Sequence, residues 1–315
     1  FGAPAGRLRI LDHRRSTTTT RTMLVFALVG ACALAAATAV AARVSVVQKS
    51  RATPAELLPA IDDFRVKLGC CPVTAAGLQP NAYREGNWEQ ISGLGGPTAF
   101  TFAALLTNTF NAVAPNSLPL GVTLRAPAKA EPASGIVRNG PATVAGAAFG
   151  AFSGTNYFTP QDFTRVAFDF FVAGSATDAT THGFGIVFID VDSNDSSFVE
   201  AFDIDGHRIA KVYARAGAFS FVGLRDTRAA SIARVVVQIG NAPVVSGGVQ
   251  LADGSLDGGE IVDIVAIDNV LFAEPLPVVD DDDDDDDSSD SDDDGDNVDD
   301  DGVADNDYDD DDDDD

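Results

Sequence analysis

The stretch from Gly183 to Ala214 constrains the fold most strongly, because it has the pattern of consecutive β-strands. Residues Gly183–Val191 are mostly apolar, which predicts a strand buried on both faces. After a polar turn, Phe198–Ile204 shows the period of two expected of a half-buried strand. Asp205-Gly206 then predicts a two-residue hairpin of type I′, since both central residues of that turn need φ > 0. An antiparallel sheet is therefore expected at the centre of the protein.

Short β-type runs separated by Gly, Pro, Asn and Ser continue along the chain from Asn87 to Phe272. Their spacing of roughly ten residues is typical of all-β sandwiches rather than of alternating strands and helices. The twenty phenylalanines supply an apolar core with few polar groups. The predicted fold is all-β, a single antiparallel jelly-roll-like β-sandwich with a short N-terminal helix and a disordered poly-Asp tail.

The N-terminal helix is predicted from its capping signals and its apolar spacing. Thr53-Pro54-Ala55-Glu56 has the spelling of a capping box with proline at the first helical position. Gly69 is expected to end the helix. One helical face is formed by Leu57, Ile61, Phe64 and Leu68. This face is expected to pack on, or beside, the sandwich.

The chain divides into five segments by composition. Residues 1–22 are an upstream or n-region, 23–42 a signal peptide, 43–53 a linker, 54–275 the sandwich and 276–315 the tail. The signal peptide is predicted from an apolar run that closes in Ala39-Val40-Ala41, and it predicts a secreted, extracellular protein. A retained membrane anchor is an alternative, because the apolar run is just long enough to span a bilayer. A lipobox-like Val29–Cys32 is a further alternative.

Almost all of the acidity of the chain lies in the tail. The formal net charge is −27, and Asp280–Asp315 contributes 25 aspartates without a cation. A near-neutral body with an anionic tail argues against nucleic acid as a partner, since phosphate binding needs clustered Lys and Arg. Outside the apolar N-terminal run, the cysteines are the adjacent Cys70 and Cys71, which do not make a disulfide framework. They are interpreted as structural or incidental, with a redox or interchain role as the alternative.

Four stretches have the order and spacing of motifs in a known family: Phe64–Gly69, Tyr83–Glu89, Gly183–Asp192 and Asp263–Pro275. They resemble FR..LG, GRREINWDG, GFGAVFTDVD and DVVxMDDFIYGEP of an uncharacterised family of secreted bacterial β-sandwich proteins, often with PEP-CTERM sorting tails. The resemblance implies a jelly-roll-like extracellular domain and no established activity. Departures from the motifs are Gly86, Glu89 and Asn269, and the acidic tail stands where a sorting tail would be.

Calcium is the metal that the sequence favours. Jelly-roll carbohydrate-binding domains often hold structural Ca²⁺ where the first and last strands meet, and Glu89 and Asp268 are the analogous residues here. The alternative is that Asp268 and Asn269 are a polar strand-edge pair with backbone contacts. A second acidic loop contains Asp190, Asp192, Asn194 and Asp195, and it is interpreted first as a solvated turn. Asn194 also begins an N-x-[ST] glycosylation sequon.

The tail contains a second calcium motif. Asn297, Asp299, Asp301 and Asp305 resemble the ligand spacing of a thrombospondin type 3 repeat, with Gly302 at the turn. Alternate carboxylates followed by glycine are also the logic of the EF-hand loop. Independently of this motif, a run of carboxylates is expected to bind many Ca²⁺ ions weakly or to adsorb to calcium mineral. A purely solubilising tail is the alternative.

No catalytic motif stands out. The sequence contains three histidines but neither a G-x-S-x-G nucleophile elbow nor an H-E-x-x-H metal-binding motif for them to act with. His207 is expected to be solvated at a turn. A glycosidase-like carboxylate pair would have to come from Glu89, Asp190, Glu200 or Asp203. The aromatic candidates for sugar stacking are Trp88, Tyr157 and Tyr213, which are also good core residues.

The predicted function is that of a secreted, non-catalytic extracellular or cell-surface binding or matrix protein, not an enzyme. Its sandwich would contact glycan or a protein neighbour, and its tail would bind calcium. One alternative is an acidic calcium-mineral matrix protein in which the sandwich is a scaffold. The other is a secreted carbohydrate-active enzyme. A membrane is expected as a partner only if the signal segment is retained.

Overall fold

The computed structural model describes residues 43–90, 100–101, 119–125, 135–139, 142–245 and 248–278. The predicted signal peptide and the acidic run Asp280–Asp315 lie outside these residues. The described helix is α1 (Pro54–Leu68), and a single 3-10 turn spans Trp88–Gln90. The strands are β1 (Val44–Arg51), β2 (Tyr83–Gly86), β3 (Phe100–Thr101), β4 (Val122–Arg125), β5 (Gly135–Asn139), β6 (Ala142–Val144), β7 (Ala147–Phe149), β8 (Asn156–Pro160), β9 (Arg165–Phe170), β10 (Ala179–Thr180), β11 (Gly183–Val191), β12 (Phe198–Phe202), β13 (Arg208–Tyr213), β14 (Gly217–Asp226), β15 (Arg234–Gln238), β16 (Leu256–Asp257), β17 (Glu260–Ile261), β18 (Ala266–Ala273) and β19 (Leu276–Pro277).

The predicted all-β sandwich is confirmed. An eight-stranded sheet has the order β1-β14-β11-β18-β8-β5-β3, with β2 also paired to β18. A five-stranded sheet has the order β13-β12-β15-β9-β4. The ladders of both sheets are antiparallel throughout the described residues. The remaining strands form three small two-stranded sheets.

The main core lies between the two large sheets. Strand β11 is buried along almost its whole length, as its apolar sequence predicts. Its Phe184, Ile186 and Phe188 belong to the core that includes residues of the five-stranded sheet, whereas Val187 belongs to the core beneath α1. A strand covered on both faces therefore needs apolar residues at successive positions, which explains why it lacks alternation.

Helix α1 packs on the outer face of the eight-stranded sheet through its predicted residues. Leu57, Ile61, Phe64 and Leu68 are all buried. The Phe64 ring lies over Gly185 and Gly223, which are register partners on β11 and β14. A Cβ on either glycine would come within 2.8 Å of that ring. Because these two glycines have no side chain, the sheet has a flat surface at this point on which the helix packs.

The start and end of α1 follow the predicted signals. The Thr53 N–H donates to the carboxylate of Glu56 at 3.2 Å, which is the return bond of a capping box. The helix ends at Gly69, but the φ of this residue is 173°, which is extended rather than left-handed. Glycine is required there because a Cβ would overlap the backbone of Ala82. Within the described residues, no helix has the length and apolar character needed to cross a bilayer.

The structure differs from the sequence prediction at three places. Val44–Arg51, predicted as part of a linker, forms edge strand β1, because β14 offers a free ladder to a short alternating segment. Leu276–Pro277, predicted as tail, pairs with β10. The prediction of a two-residue hairpin at Asp205-Gly206 is also wrong. The connection between β12 and β13 is longer than two residues, and of these two residues Gly206 alone has a positive φ. The Asp203 carboxylate accepts the His207 N–H at 2.7 Å, which favours the longer turn.

Candidate ligand-binding face

The outer face of the five-stranded sheet carries charged side chains because its strands alternate. On β9, Val166, Phe168 and Phe170 point into the core, so that Arg165 and Asp169 point outward. On β15, Val235 and Val237 likewise belong to the core, whereas Arg234 is exposed. The same alternation places the charged residues of β4, β12 and β13 on this side.

Asp169 lies between two guanidinium groups at one end of the face. Arg125 Nε donates to Asp169 Oδ2 at 2.5 Å, and Arg234 Nε donates to Oδ1 at 2.5 Å. Arg234 is directly opposite Asp169 in the ladder, whereas Arg125 is opposite Ala167 and therefore diagonal to Asp169. Both positions lie within reach of a long side chain across neighbouring strands. One carboxylate thus holds two cations in place and leaves an excess positive charge.

A cleft of about 520 Å³ opens beside this triplet. Its polar lining consists of two guanidinium groups, from Arg125 and Arg234, and three carboxylates, from Asp169, Asp178 and Asp203. Its apolar lining includes Phe202 and Ile204. Ile204 is 55% exposed, which is unusual for a large apolar side chain. The cleft therefore presents guanidinium groups next to an apolar surface, a combination typical of ligand sites.

The other end of the face is built around Glu200 and Phe198. Glu200 forms ion pairs with Arg208 at 3.3 Å and with Lys211 at 3.5 Å. Lys211 Nζ also lies 3.5 Å from the centre of the Phe198 ring, and Arg165 lies 5.6 Å from it. Such cation–π contacts stabilise cationic side chains on a solvent-facing sheet.

The whole face is cationic. On its five strands the positively charged side chains outnumber the carboxylates, which are Asp169 and Glu200. Asp178 and Asp203 add two carboxylates beside the cleft. The cations are Arg125, Arg165, Arg208, Lys211 and Arg234. The sequence signal was weak, since each of these strands carries only one or two charged residues. Only the order of the strands shows that the charges share one surface.

The predicted calcium residues Glu89 and Asp268 hold one loop. Glu89 Oε1 accepts hydrogen bonds from the Thr155 N–H at 2.5 Å and from the Asn156 N–H. Asp268 Oδ2 accepts the N–H groups of Phe152 at 2.8 Å and Ser153 at 3.0 Å. The structure therefore brings both carboxylates to residues 152–156, where their oxygens bind backbone donors. Calcium at this place remains a prediction.

Asp268 is completely buried, and its environment is unusual for a carboxylate. Burial, with a smaller contribution from the nearby Glu89 carboxylate, raises its pKa to about 7, although the backbone N–H groups that it accepts oppose this shift. Its neighbour Asn269 accepts a hydrogen bond from the Ser153 hydroxyl at 2.5 Å and donates to Glu85 at 2.7 Å. These contacts correspond to the predicted alternative of a polar pair with backbone contacts.

The other predicted residues lie at separate positions. Asn194 is exposed on the turn after β11, where its side-chain oxygen accepts the Ala216 N–H at 2.9 Å. His207 is solvated as expected, with 80% of its side chain exposed. The carboxylates considered for catalysis are divided between the two sheets, because Glu200 and Asp203 belong to the β12–β13 hairpin whereas Glu89 lies beside β8. Asn297, Asp299, Asp301 and Asp305 lie outside the described residues.

Two of the three aromatic candidates belong to the core. Trp88 is 1% exposed, stacks on Phe158 at 4.8 Å and donates its Nε1–H to the Ile267 carbonyl at 3.0 Å. Tyr157 is fully buried. Tyr213 is 39% exposed on β13, with Lys211 at 5.0 Å from its ring, so it lies on the edge of the cationic face. Cys70 and Cys71 are exposed free thiols away from this face.

Comparisons with known proteins leave the function open. No family model matches the chain, and no curated protein matches it. Among solved structures, the chain is similar to the crystal structure of the bacteriophage CBA120 tailspike protein 4 enzymatically active domain, with 13% sequence identity and a TM-score of 0.25. The match covers 54% of this chain and 21% of the tailspike chain. A likeness this weak carries no argument about the fold, ligand or activity of this chain.

Proposed function

We propose that this protein is a non-catalytic extracellular binding or matrix protein whose five-stranded sheet binds an acidic glycan. The observation that carries the proposal is the cationic face, on which five basic side chains share one surface with two carboxylates. The body of the chain is near neutral, because the tail contributes 25 of the 27 excess negative charges, so this positive surface is a local concentration of charge. A concentrated positive face on an acidic protein suits an anionic partner.

In the cleft beside Asp169, the guanidinium groups of Arg125 and Arg234 are the groups that would bind a carboxylate of the glycan. A guanidinium binds a carboxylate through two parallel N–H donors, which gives both strength and orientation. The exposed Ile204 and the neighbouring Phe202 offer an apolar surface for the C–H face of a sugar ring. The acidic tail, which is expected to bind calcium, would add a second attachment to an anionic matrix through bridging Ca²⁺ ions.

The proposal is tested by the retardation of the full chain in native gels that contain polyuronate. We expect retardation by polyuronate, none by an uncharged glucan, and weakening as salt rises. Arg234→Gln should weaken binding by roughly 10- to 100-fold, because a hydrogen bond between charged groups contributes on the order of 1.5–3 kcal/mol.

The matched control is Lys67→Gln, which removes one positive charge from the exposed side of α1 and leaves the face intact. Equal weakening by both substitutions would show that only net charge matters and would contradict a defined site. Equal retardation by DNA would contradict the choice of a glycan as the ligand.

A further inference from the structure

A cluster of acidic residues lies beside the eight-stranded sheet, where three loops meet beyond the end of β11. Carboxylate oxygens of Asp192, Asp253 and Asp263 all lie within 4.8 Å of one another. Asp192 directly follows β11, Asp263 shortly precedes β18, and Asp253 lies on the loop between β15 and β16. Folding therefore brings together three like charges that are distant in sequence.

Asp263 is the residue that distinguishes this cluster from an ordinary acidic surface. Its side chain is fully buried, and its Oδ1 has no hydrogen-bond partner. Its Oδ2 accepts the N–H groups of Asp192 and Ser193, each at 3.1 Å, and the Ser196 hydroxyl. One oxygen thus fixes the turn after β11, whereas the other is left without a compensating donor. A buried carboxylate oxygen without a donor is costly unless a cation binds it.

The backbone around Asp263 is held firmly enough to keep this oxygen in place. The Asp263 N–H donates to Asn241 Oδ1 at 2.8 Å, and the Asp263 carbonyl accepts the Asn241 N–H at 3.0 Å. Asp253 is fixed in turn, since its Oδ1 accepts the Ile264 N–H at 2.7 Å and its N–H donates to the Ala145 carbonyl at 2.7 Å. The carboxylates of Asp253 and Asp263 are therefore positioned before any ion arrives, and the backbone N–H of Asp192 is held by Asp263.

No basic side chain neutralises the cluster within the described residues. None of their ion pairs includes Asp192, Asp253 or Asp263. Burial, together with the nearby carboxylates of Asp192, Asp190 and Asp263, raises the pKa of Asp253 to about 6. Exposure decreases from Asp192 through Asp253 to Asp263, so the cluster is open to solvent on one side.

From this geometry we propose that Asp192, Asp253 and Asp263 bind one Ca²⁺ ion that joins the loops at this end of the sandwich. Calcium–oxygen distances are about 2.4 Å, so oxygens on opposite sides of one ion lie up to about 4.8 Å apart. Carboxylate oxygens that all lie within 4.8 Å of one another are therefore close enough to share a single ion. Calcium accepts irregular sets of six to eight oxygens, whereas Mg²⁺ requires a near-ideal octahedron and retains its water. Water and backbone carbonyls complete the ligand set.

This site goes beyond the proposed glycan-binding function, because it lies on the other sheet and acts on stability. It also differs from the exposed group of Asp203, Asp205 and His207, which has no buried unpartnered oxygen. Because one proposed ligand is exposed and another is buried, the site can be tested by two independent substitutions. Asp192→Asn tests the site from the solvent side, and Asp263→Asn tests it from the core.

The experiment is the thermal unfolding of the full chain in EDTA, in 1 mM Ca²⁺ and in 1 mM Mg²⁺. An ion that binds only the folded sandwich raises the Tm, whereas ions on the tail do not alter the folding equilibrium of the sandwich. We expect Ca²⁺ to raise the Tm by roughly 3 °C or more and Mg²⁺ to raise it much less. Asp192→Asn should abolish most of the calcium shift.

Asp263→Asn gives a second signature. It should lose the calcium shift while its Tm in EDTA stays at or above that of the unmodified chain, because the amide removes a buried charge. Asp205→Asn, in the exposed hairpin, is the control and should keep the full shift. The proposal is overturned if Ca²⁺ does not raise the Tm of the unmodified chain, or if the shift survives Asp192→Asn.

Discussion

Arg84 and Glu274 form a bidentate ion pair that is almost completely withdrawn from solvent. Arg84 Nε lies 2.8 Å from Glu274 Oε2, Arg84 Nη2 lies 2.8 Å from Oε1, and the two side chains are 0% and 3% exposed. Arg84 also donates to the carbonyls of Ala75 at 2.8 Å and Gly77 at 2.9 Å. The pair thus joins the start of β2 to the end of β18. The hydrogen bonds of Arg84 to the two carbonyls also attach the loop before β2 to these strands.

Removal of either member of this pair should destabilise the protein strongly. Arg84→Met or Glu274→Gln leaves a buried charge without its partner, which costs about 3–5 kcal/mol of the free energy of unfolding. Urea denaturation measures this loss. The control is Asp62→Asn, since the Asp62 side chain is 63% exposed in its pair with Arg65 and should contribute less than about 1 kcal/mol. Similar effects of the buried and exposed substitutions would refute the assignment.

The contact of Phe64 with two glycines predicts a specific sensitivity to size. Gly223→Val should destabilise the protein by about 1–3 kcal/mol, because added methyl groups would meet the Phe64 ring and displace α1. The double variant Phe64→Ala with Gly223→Val should lose less than the sum of the single losses, because the two substitutions share one space. Strict additivity in urea denaturation would show that the ring does not lie on Gly223.

The buried carboxyl of Asp268 predicts a stability that falls as pH rises. Its pKa is raised from the usual 3.8 to about 7 in the folded protein. Between these values the folded state keeps a proton that the unfolded chain releases, so this residue's contribution to the free energy of unfolding decreases across that window. The stabilisation is complete below pH 4, and the loss above pH 7 amounts to about 4 kcal/mol.

Asp268→Asn should remove this part of the pH dependence. Urea denaturation in EDTA at pH 5 and pH 8 compares the variant with the unmodified chain. We expect the difference in free energy of unfolding between the two pH values to shrink in the variant. An unchanged difference would mean that Asp268 is ionised in the folded protein at both pH values.

Alanine substitutions at two glycines with positive φ distinguish the cost of backbone strain from the cost of steric overlap. Gly240 has φ 68° and Gly206 has φ 81°. A Cβ at Gly206 meets open space, whereas one at Gly240 would overlap the carbonyl oxygen of Asp263. Gly206→Ala should therefore cost about 1–2 kcal/mol from the left-handed conformation alone. Gly240→Ala should cost clearly more, and equal thermal destabilisation would contradict the close approach.

The sequence predicted those helices and strands that are determined by neighbouring residues in the chain. Strand β11 and the buried face of α1 follow from apolar runs and spacing, and the Glu56 cap follows from its position in the helix. Edge strand β1 was missed because Gln48 and Lys49 make its sequence resemble a linker, and its pairing with β14 is a tertiary effect. The hairpin was predicted too short because the Asp203 carboxylate stabilises a wider turn.

The candidate sites depend on contacts between distant segments, which the sequence alone does not show. The sequence showed the charged residues of β9, β12 and β15, but not the order of these strands in the sheet. Asp192 was assigned to a solvated turn because Asp253 and Asp263 lie far along the chain. In contrast, Glu89 and Asp268 both contact residues 152–156, because the strands next to them pair, and the calcium predicted between them stays a prediction.

The most direct test of the proposed function compares the full chain with a chain that ends at Val278. Both are mixed with insoluble acidic polysaccharide and, separately, with calcium carbonate, and the pelleted fraction of each protein is measured. We predict that the shorter chain pellets with the polysaccharide and that Arg234→Gln reduces this fraction. Binding by the full chain alone, and only to the mineral, would contradict the proposal and make the sandwich a scaffold for its acidic tail.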